Sequence, residues 1–227
     1  MTVEAGRLEP DAVRSMFERI APVYDFMNRA MSAGLDQRWR RTTAQAVVQP
    51  GDRVLDACCG TGDLALADAA AGGHVIGLDF AEEMLARARR KSAAIDWVNG
   101  DLLALPFADA SFDAATVGFG VRNVADLDRA LAELRRVVRR GGRLGILEIA
   151  RPHGLLAPFY RVWFDWLVPL AGKLLPGGSA YAYLPASVRR FETPQELAET
   201  LRAAGFGDVR YRLFAGGIVA LHTGVAR

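Results

Sequence analysis

Between residues 53 and 149, short apolar runs alternate with longer amphipathic stretches, and few folds accommodate that rhythm. The apolar runs cover residues 53–57, 75–79, 96–98, 112–117 and 143–149, and helical patterns fill 62–71, 81–91 and 126–138. A strand followed by a helix and a second strand returns parallel to the first. The repetition therefore predicts an α/β fold on a doubly wound, mostly parallel sheet. Such sheets bind ligands beyond the carboxyl ends of their strands. Asp56, Asp79, Asp101 and the segment 118–123 all fall at those ends, which predicts one composite site.

The first strand runs into Gly60-Thr61-Gly62-Asp63 and then an Ala/Leu-rich helix start. Glycines let the backbone approach a ligand and adopt positive φ. The helix start adds unpaired N–H groups and partial positive charge. The run from Gly60 to Ala65 satisfies the Gly-x-Gly-x-x-Gly/Ala dinucleotide pattern, a weak signal alone. Asp79 ends the next strand 17 residues past Gly62, near the spacing of a carboxylate that accepts from ribose hydroxyls. Charge then separates the cofactors. A pyrophosphate wants the helix N-terminus, yet Asp63 occupies its first turn and Asp56 precedes the loop. S-adenosylmethionine reverses the sign, with a sulfonium, an α-ammonium and a ribose but no phosphate. It is expected here instead of NAD, held by Asp56, Gly60, Thr61, Gly62 and Asp79. Asp63 also complements the helix dipole, worth about 0.3–1 kcal/mol.

A chain of 227 residues holds one large domain. Its net charge of +2 carries no nucleic-acid footprint. Cys58 and Cys59 are adjacent, so no disulfide framework forms, as expected of a reducing cytoplasm. His74, His153 and His222 are scattered without ligand spacing, and no metal site is expected. The first ten residues lack a signal-peptide apolar core. No uncharged apolar run is long enough to predict a membrane-spanning helix.

Outside the alternating core, residues 11–20 and 36–48 read as amphipathic helices, part of a helical lid segment over 1–50. Residues 51–227 read as the main body of a single domain, with an insertion at 154–193 on the substrate side. Residues 194–204 read as a helix closed by Gly205, and 208–214 with 218–223 as a hairpin. Within 155–176, Leu155, Phe159, Tyr160, Trp163, Trp166 and Leu170 give a dense apolar and aromatic surface. It suits a core, a homodimer contact, a substrate pocket or a peripheral membrane contact at the inner face of the cell membrane.

The motifs in combination resemble the ubiquinone/menaquinone biosynthesis C-methyltransferases over almost the whole chain. They are Ile20 to Asn28, Ser32-Ala33-Gly34, Trp39-Arg40, Gly60 to Asp63, Ala104-Leu105-Pro106-Phe107, Gly118 to Val124, Gly141-Gly142, Leu147-Glu148, Tyr183-Leu184 with Ser187, and Gly217 to His222. The resemblance implies a Rossmann-like class I methyltransferase sheet of seven strands, the last antiparallel. It implies S-adenosylmethionine contacts at Thr61, Asp79, Asp101, Leu102 and Gly118. Two positions depart from the family pattern: Asp36 stands where many relatives have His, and Gly118 where many have a hydroxyl residue.

The activity implied is methylation of a ring carbon on a prenylated quinol, foremost demethylmenaquinol to menaquinol. A benzoquinol, another lipophilic small molecule and a catalytically silent scaffold are the alternatives. The ring carbon becomes nucleophilic when a neighbouring hydroxyl, of pKa near 10, loses its proton. Arg122 and Asn123 follow a strand end and are expected to stabilise that phenolate. The competing reading for Arg122 is an ion pair with Asp25 or Glu148. Asp25 and His222 are the candidate bases, and His222 also suits a core position in the last strand. Tyr24, Asn28, Phe119, Tyr160 and Tyr183 are the expected substrate contacts.

Overall fold

A computed structural model describes residues 9–150 and 178–227. Among these residues the strands are β1 (Arg53–Ala57), β2 (His74–Asp79), β3 (Asp96–Asn99), β4 (Phe112–Gly118), β5 (Val138–Ile149), β6 (Phe206–Phe214) and β7 (Val219–Ala226). They form one sheet in the order β3-β2-β1-β4-β5-β7-β6. The first five are parallel, and β7 runs antiparallel between β5 and β6. β1 is central, and everything in it beyond Arg53 is buried, as a strand covered on both faces requires.

The helices are α1 (Pro10–Ile20), α2 (Tyr24–Ser32), α3 (Leu35–Val47), α4 (Asp63–Ala70), α5 (Glu82–Lys91), α6 (Leu127–Val137), α7 (Gly178–Arg190) and α8 (Pro194–Ala203). Local chemistry sets their ends. α5 carries Glu82 and Glu83 in its first turn and Arg89, Arg90 and Lys91 in its last, matching the helix dipole at both ends. Asp126 caps α6 by accepting from the Arg129 N–H at 3.0 Å. Thr193 and Glu196 form a reciprocal capping box at the start of α8.

Two layers bury the sheet. Val47 of α3 and Ala65 of α4 pack on Val54, Val75 and Ala114. On the other face Leu131 and Leu134 of α6, with Leu197 and Leu201 of α8, pack on Leu55, Ala115 and Ile146. The helices α1 and α2 belong to neither layer. Met16, Ile20 and Ala21 rest on Ala81 and Met84, with Tyr24, Phe80 and Tyr183 packed alongside. That places α1 over the carboxyl ends of the strands, where a ligand is expected.

The structure revises several boundaries. β5 begins at Val138 instead of residue 143, because the strand continues through Gly141-Gly142 with a shift in register against β4 between Phe112 and Ala114. α2 and α7 were not foreseen. α7 occupies the end of the stretch read as an insertion and holds Pro185 inside it. Tyr160 and the aromatic run 155–176 lie outside the described residues.

Gly62 shows how tightly the glycine loop is packed. Its φ is +85°, and a Cβ there would stand 2.5 Å from the Trp97 ring. Gly62→Ala is expected to lower stability by about 2–4 kcal/mol, from overpacking and left-handed backbone strain together. Thermal unfolding checks this, and Trp97→Leu in the same chain should recover part of the loss.

Candidate active site

A cleft of about 830 Å³, counting space open to solvent, lies beyond the carboxyl ends of β1, β2, β3 and β4. The strand ends contribute Cys58, Gly60, Leu78, Asp79, Gly100, Asp101, Leu102 and Gly118 to its wall. The turn after β4 adds Phe119, Gly120, Asn123 and Val124, while α1 and the start of α2 add Val13, Arg14, Phe17 and Tyr24. Two wall residues, Cys58 (φ 56°) and Phe119 (φ 60°), have left-handed backbone without being glycine. Such residues cost about 1–3 kcal/mol each and persist where the surroundings fix them. Here the Cys59 N–H donates to Leu78 O at 3.0 Å and the Phe119 N–H to Leu147 O at 2.7 Å.

Asp79 is the best-held acid in the wall. Its Oδ2 accepts from the Gly60 N–H at 2.8 Å and its Oδ1 from the Ala81 N–H at 2.9 Å. Each oxygen keeps a lone pair for a ligand hydroxyl. Burial lifts its pKa to about 6 against these bonds. This folded value lies above the ordinary 3.8, so in the empty protein ionised Asp79 subtracts stability above about pH 6, and that penalty fades as pH falls towards 4. Ribose hydroxyls donating to the carboxylate favour the charged form, so affinity for S-adenosylhomocysteine should drop as pH falls through 6. A loss of about tenfold between pH 7.5 and pH 5 follows from protonation below that pKa. Calorimetry across this range should show it, and Asp79→Asn should abolish the step.

The remaining expected cofactor residues divide. Gly60, Asp101, Leu102 and Gly118 line the cleft, and Asp101 Oδ1 accepts from the Leu103 N–H at 2.9 Å. Asp56, Thr61 and Gly62 are not in its lining. Asp56 is fully buried, and among the described residues neither oxygen meets a hydrogen-bond partner in good geometry. Burial and then the charge of Asp68 push its carboxyl well above the usual range, while Arg40 acts the other way. Thr61 Oγ1 donates to Asp25 Oδ1 at 2.5 Å. Lys91 Nζ stands 2.6 Å from Asp25 Oδ2, 2.5 Å from Asp63 Oδ1 and 3.1 Å from Thr61 Oγ1. Gln37 Nε2 donates to Asp63 Oδ2 at 2.9 Å. Asp25 and Asp63 are thus partners of a lysine that clasps α2 to the glycine loop, and Asp25 is not a free base facing the cleft.

The other expected catalytic residues are also redistributed. Arg122 Nη1 lies 2.6 Å from Glu148 Oε1, with side chains only 8% and 2% exposed, and donates to Phe119 O at 2.5 Å. Its backbone N–H donates to Glu148 Oε2 at 3.2 Å. The ion-pair reading for Arg122 is the one realised, with Glu148 as partner. Asn123 reaches the wall: its Nδ2 donates to Phe119 O at 3.3 Å, and its buried Oδ1 has no partner among the described residues. His222 pairs with Ile146 and Tyr211 inside the sheet. Its Nε2 is 2.8 Å from Pro194 O, and burial lowers its pKa, holding the ring neutral. It takes the core position and does not line the cleft. Tyr24 and Phe119 line it, whereas Asn28 is half-buried on α2 outside the lining. Tyr183 packs beside Tyr24 and Met84, and burial raises its pKa against the charges of Arg122 and Arg190. Lys91, Gln37 and Arg40 carry much of the local electrostatics and were not singled out as site residues in the sequence.

This donor set fits S-adenosylmethionine. Asp79 and Asp101 supply carboxylates in the wall, an environment for positive charge and ribose hydroxyls. Fold and site together define a class I S-adenosylmethionine-dependent methyltransferase. Residues 5–226 match the model of the ubiE/COQ5 methyltransferase family, and the chain belongs to that family. It is 47% identical over 218 residues to a demethylmenaquinone methyltransferase of Thermus thermophilus, covering 92% of this chain and 99% of that protein. It is 42% identical to a 2-phytyl-1,4-naphtoquinone methyltransferase of Synechococcus elongatus, covering 94% and 97%. Among solved structures, an S-adenosylmethionine-dependent methyltransferase from Thermotoga maritima shares the fold, with a TM-score of 0.65, 21% identity and coverage of 95% and 100%.

Proposed function

We propose that the chain methylates a ring carbon of demethylmenaquinol, giving menaquinol. The observation that carries this is the identity of nearly half the residues with the Thermus thermophilus enzyme across both chains. The Synechococcus relative is likewise named for a naphthoquinone with an isoprenoid tail, which favours a naphthoquinol over a benzoquinol. When bound, S-adenosylmethionine supplies an electrophilic methyl on a sulfonium.

The chain's own groups hold the acceptor. Asn123, in the cleft wall, hydrogen-bonds a quinol hydroxyl and orients the ring. Val13, Phe17, Met84 and Val124 offer it apolar contact. With the hydroxyl proton passed to solvent, the neighbouring carbon would become nucleophilic towards that methyl, and after transfer the ring proton would pass to solvent to restore aromaticity. Arg122, neutralised by Glu148, holds the 119–123 turn that aims Asn123. Tyr24 and α1 exclude water from above.

No helix among the described residues is long and apolar enough to cross a membrane. The substrate's tail would meet the protein from a lipid surface. The test offers methyl-labelled S-adenosylmethionine with chemically reduced demethylmenaquinone and with reduced benzoquinones in parallel. Labelled menaquinone alone is the expected product. Label in a benzoquinone, with none in menaquinone, overturns the assignment.

A further inference from the structure

Arg40 of α3 is buried, with its side chain only 6% exposed, yet among the described residues it makes no hydrogen bond. Its one ion contact, Nε to Asp36 Oδ2, is 3.8 Å long, and the Nε N–H is unpartnered. A guanidinium presents a fork of N–H donors suited to a carboxylate, and burying such a charge without hydrogen bonds is unfavourable. Its surroundings show where a partner would come from. The guanidinium lies 5.2 Å from the centre of the Phe119 ring. Its Nη1 is 3.2 Å from the point a Cβ on Gly118 would occupy. Gly118 and Phe119 both form the cleft wall, so glycine at 118 leaves no side chain between Arg40 and the ligand.

The cofactor carries one negative group, the α-carboxylate of its methionine end. The wall acids Asp79 and Asp101 would repel it. Among the nearby cations, Lys91 is bound to Asp25 and Asp63, and Arg122 to Glu148. Arg14 stacks on Phe80, next to Asp79 and therefore beside the ribose. Arg14 is exposed, whereas Arg40 is the buried cation without a hydrogen bond among the described residues, and its charge already acts on Asp56 and Asp63 at the glycine loop. We propose that Arg40 binds the α-carboxylate of S-adenosylmethionine through Gly118, fixing the methionine end of the cofactor. The inference rests on the cofactor reading given above.

Decarboxylated S-adenosylmethionine, which keeps the sulfonium, ammonium, ribose and adenine, tests it. Calorimetry on the full chain would compare its affinity with that of S-adenosylmethionine for wild type, Arg40→Met and Arg40→Lys. Wild type should prefer S-adenosylmethionine by about 10- to 100-fold, the worth of hydrogen bonds between charged groups. Arg40→Met should lose that preference while binding the decarboxylated compound about as well as wild type does, and Arg40→Lys should keep part of it. Equal affinity of wild type for both ligands overturns the proposal, and needs no variant to fold. Loss of both affinities together in a folded Arg40→Met also overturns it, because that marks a structural residue. If wild type binds neither compound, the cofactor reading itself fails.

Discussion

Replacing Asp79 with alanine is expected to weaken S-adenosylhomocysteine binding about a hundredfold, since charge-assisted hydrogen bonds contribute about 1.5–3 kcal/mol each. The structure adds a second reason to the expected ribose contacts. Both carboxylate oxygens also receive backbone N–H groups, from Gly60 and from Ala81, so the substitution frees the glycine loop as well. Asp79→Asn should be nearly as damaging. One of its termini is an amide donor facing a backbone donor, and only one terminus can accept. Calorimetry with the ligand and thermal melting without it separate the two losses. Unchanged affinity in Asp79→Ala would remove this residue from the cofactor site.

The largest loss of stability is expected from Glu148→Ala. It leaves the Arg122 guanidinium buried without its counter-charge, and breaking a buried pair on one side costs about 3–5 kcal/mol. The Phe119 carbonyl alone cannot compensate, and the Ile149 N–H at 2.8 Å from Glu148 Oε1 loses its acceptor too. The double variant Arg122→Met/Glu148→Leu should recover much of that loss, because two apolar side chains replace the pair. Denaturant unfolding of the single and double variants gives the coupling. Turnover in the folded double variant then reports on chemistry. If Arg122 acts by holding the 119–123 turn, activity falls through misplacement of Asn123 while cofactor affinity stays close to wild type. Full activity in the double variant would free both residues from any part in the reaction.

The parallel core was legible because its signals are local. Five apolar runs, three helical patterns and the acids Asp56, Asp79 and Asp101 at or just past strand ends sit within a few residues of one another, and the structure places the elements within five residues of the expected bounds. Elements whose signals conflict were missed. α2 begins two residues after Pro22, has no side-chain cap and ends in left-handed Ala33 and Gly34, so its stretch reads as turns. Pro185 hid α7 in the same way. The strand-end residues of the site were visible for topological reasons. The electrostatic partners were not, because each comes from a distant part of the chain. Lys91 meets Asp63 across 28 positions, and Glu148 meets Arg122 across 26. No periodicity encodes such meetings, and a carboxylate looks free in sequence until the fold supplies its cation. Asp25 read as a candidate base for that reason.

The wall made by α1 and α2 also bears on how the molecule assembles. The sheet and its two covering layers are complete without these helices, which hold on through Met16, Ile20 and Ala21 and through the charged bonds of Asp25. They are therefore the segment expected to dock last during folding and to detach first on native fluctuation. A ligand in the cleft touches that wall through Val13, Phe17 and Tyr24. Occupancy should accordingly slow amide exchange in residues 10–32 while exchange in β1 and β4 stays governed by global unfolding, so ligand binding would be read out first in the loosest part of the described fold.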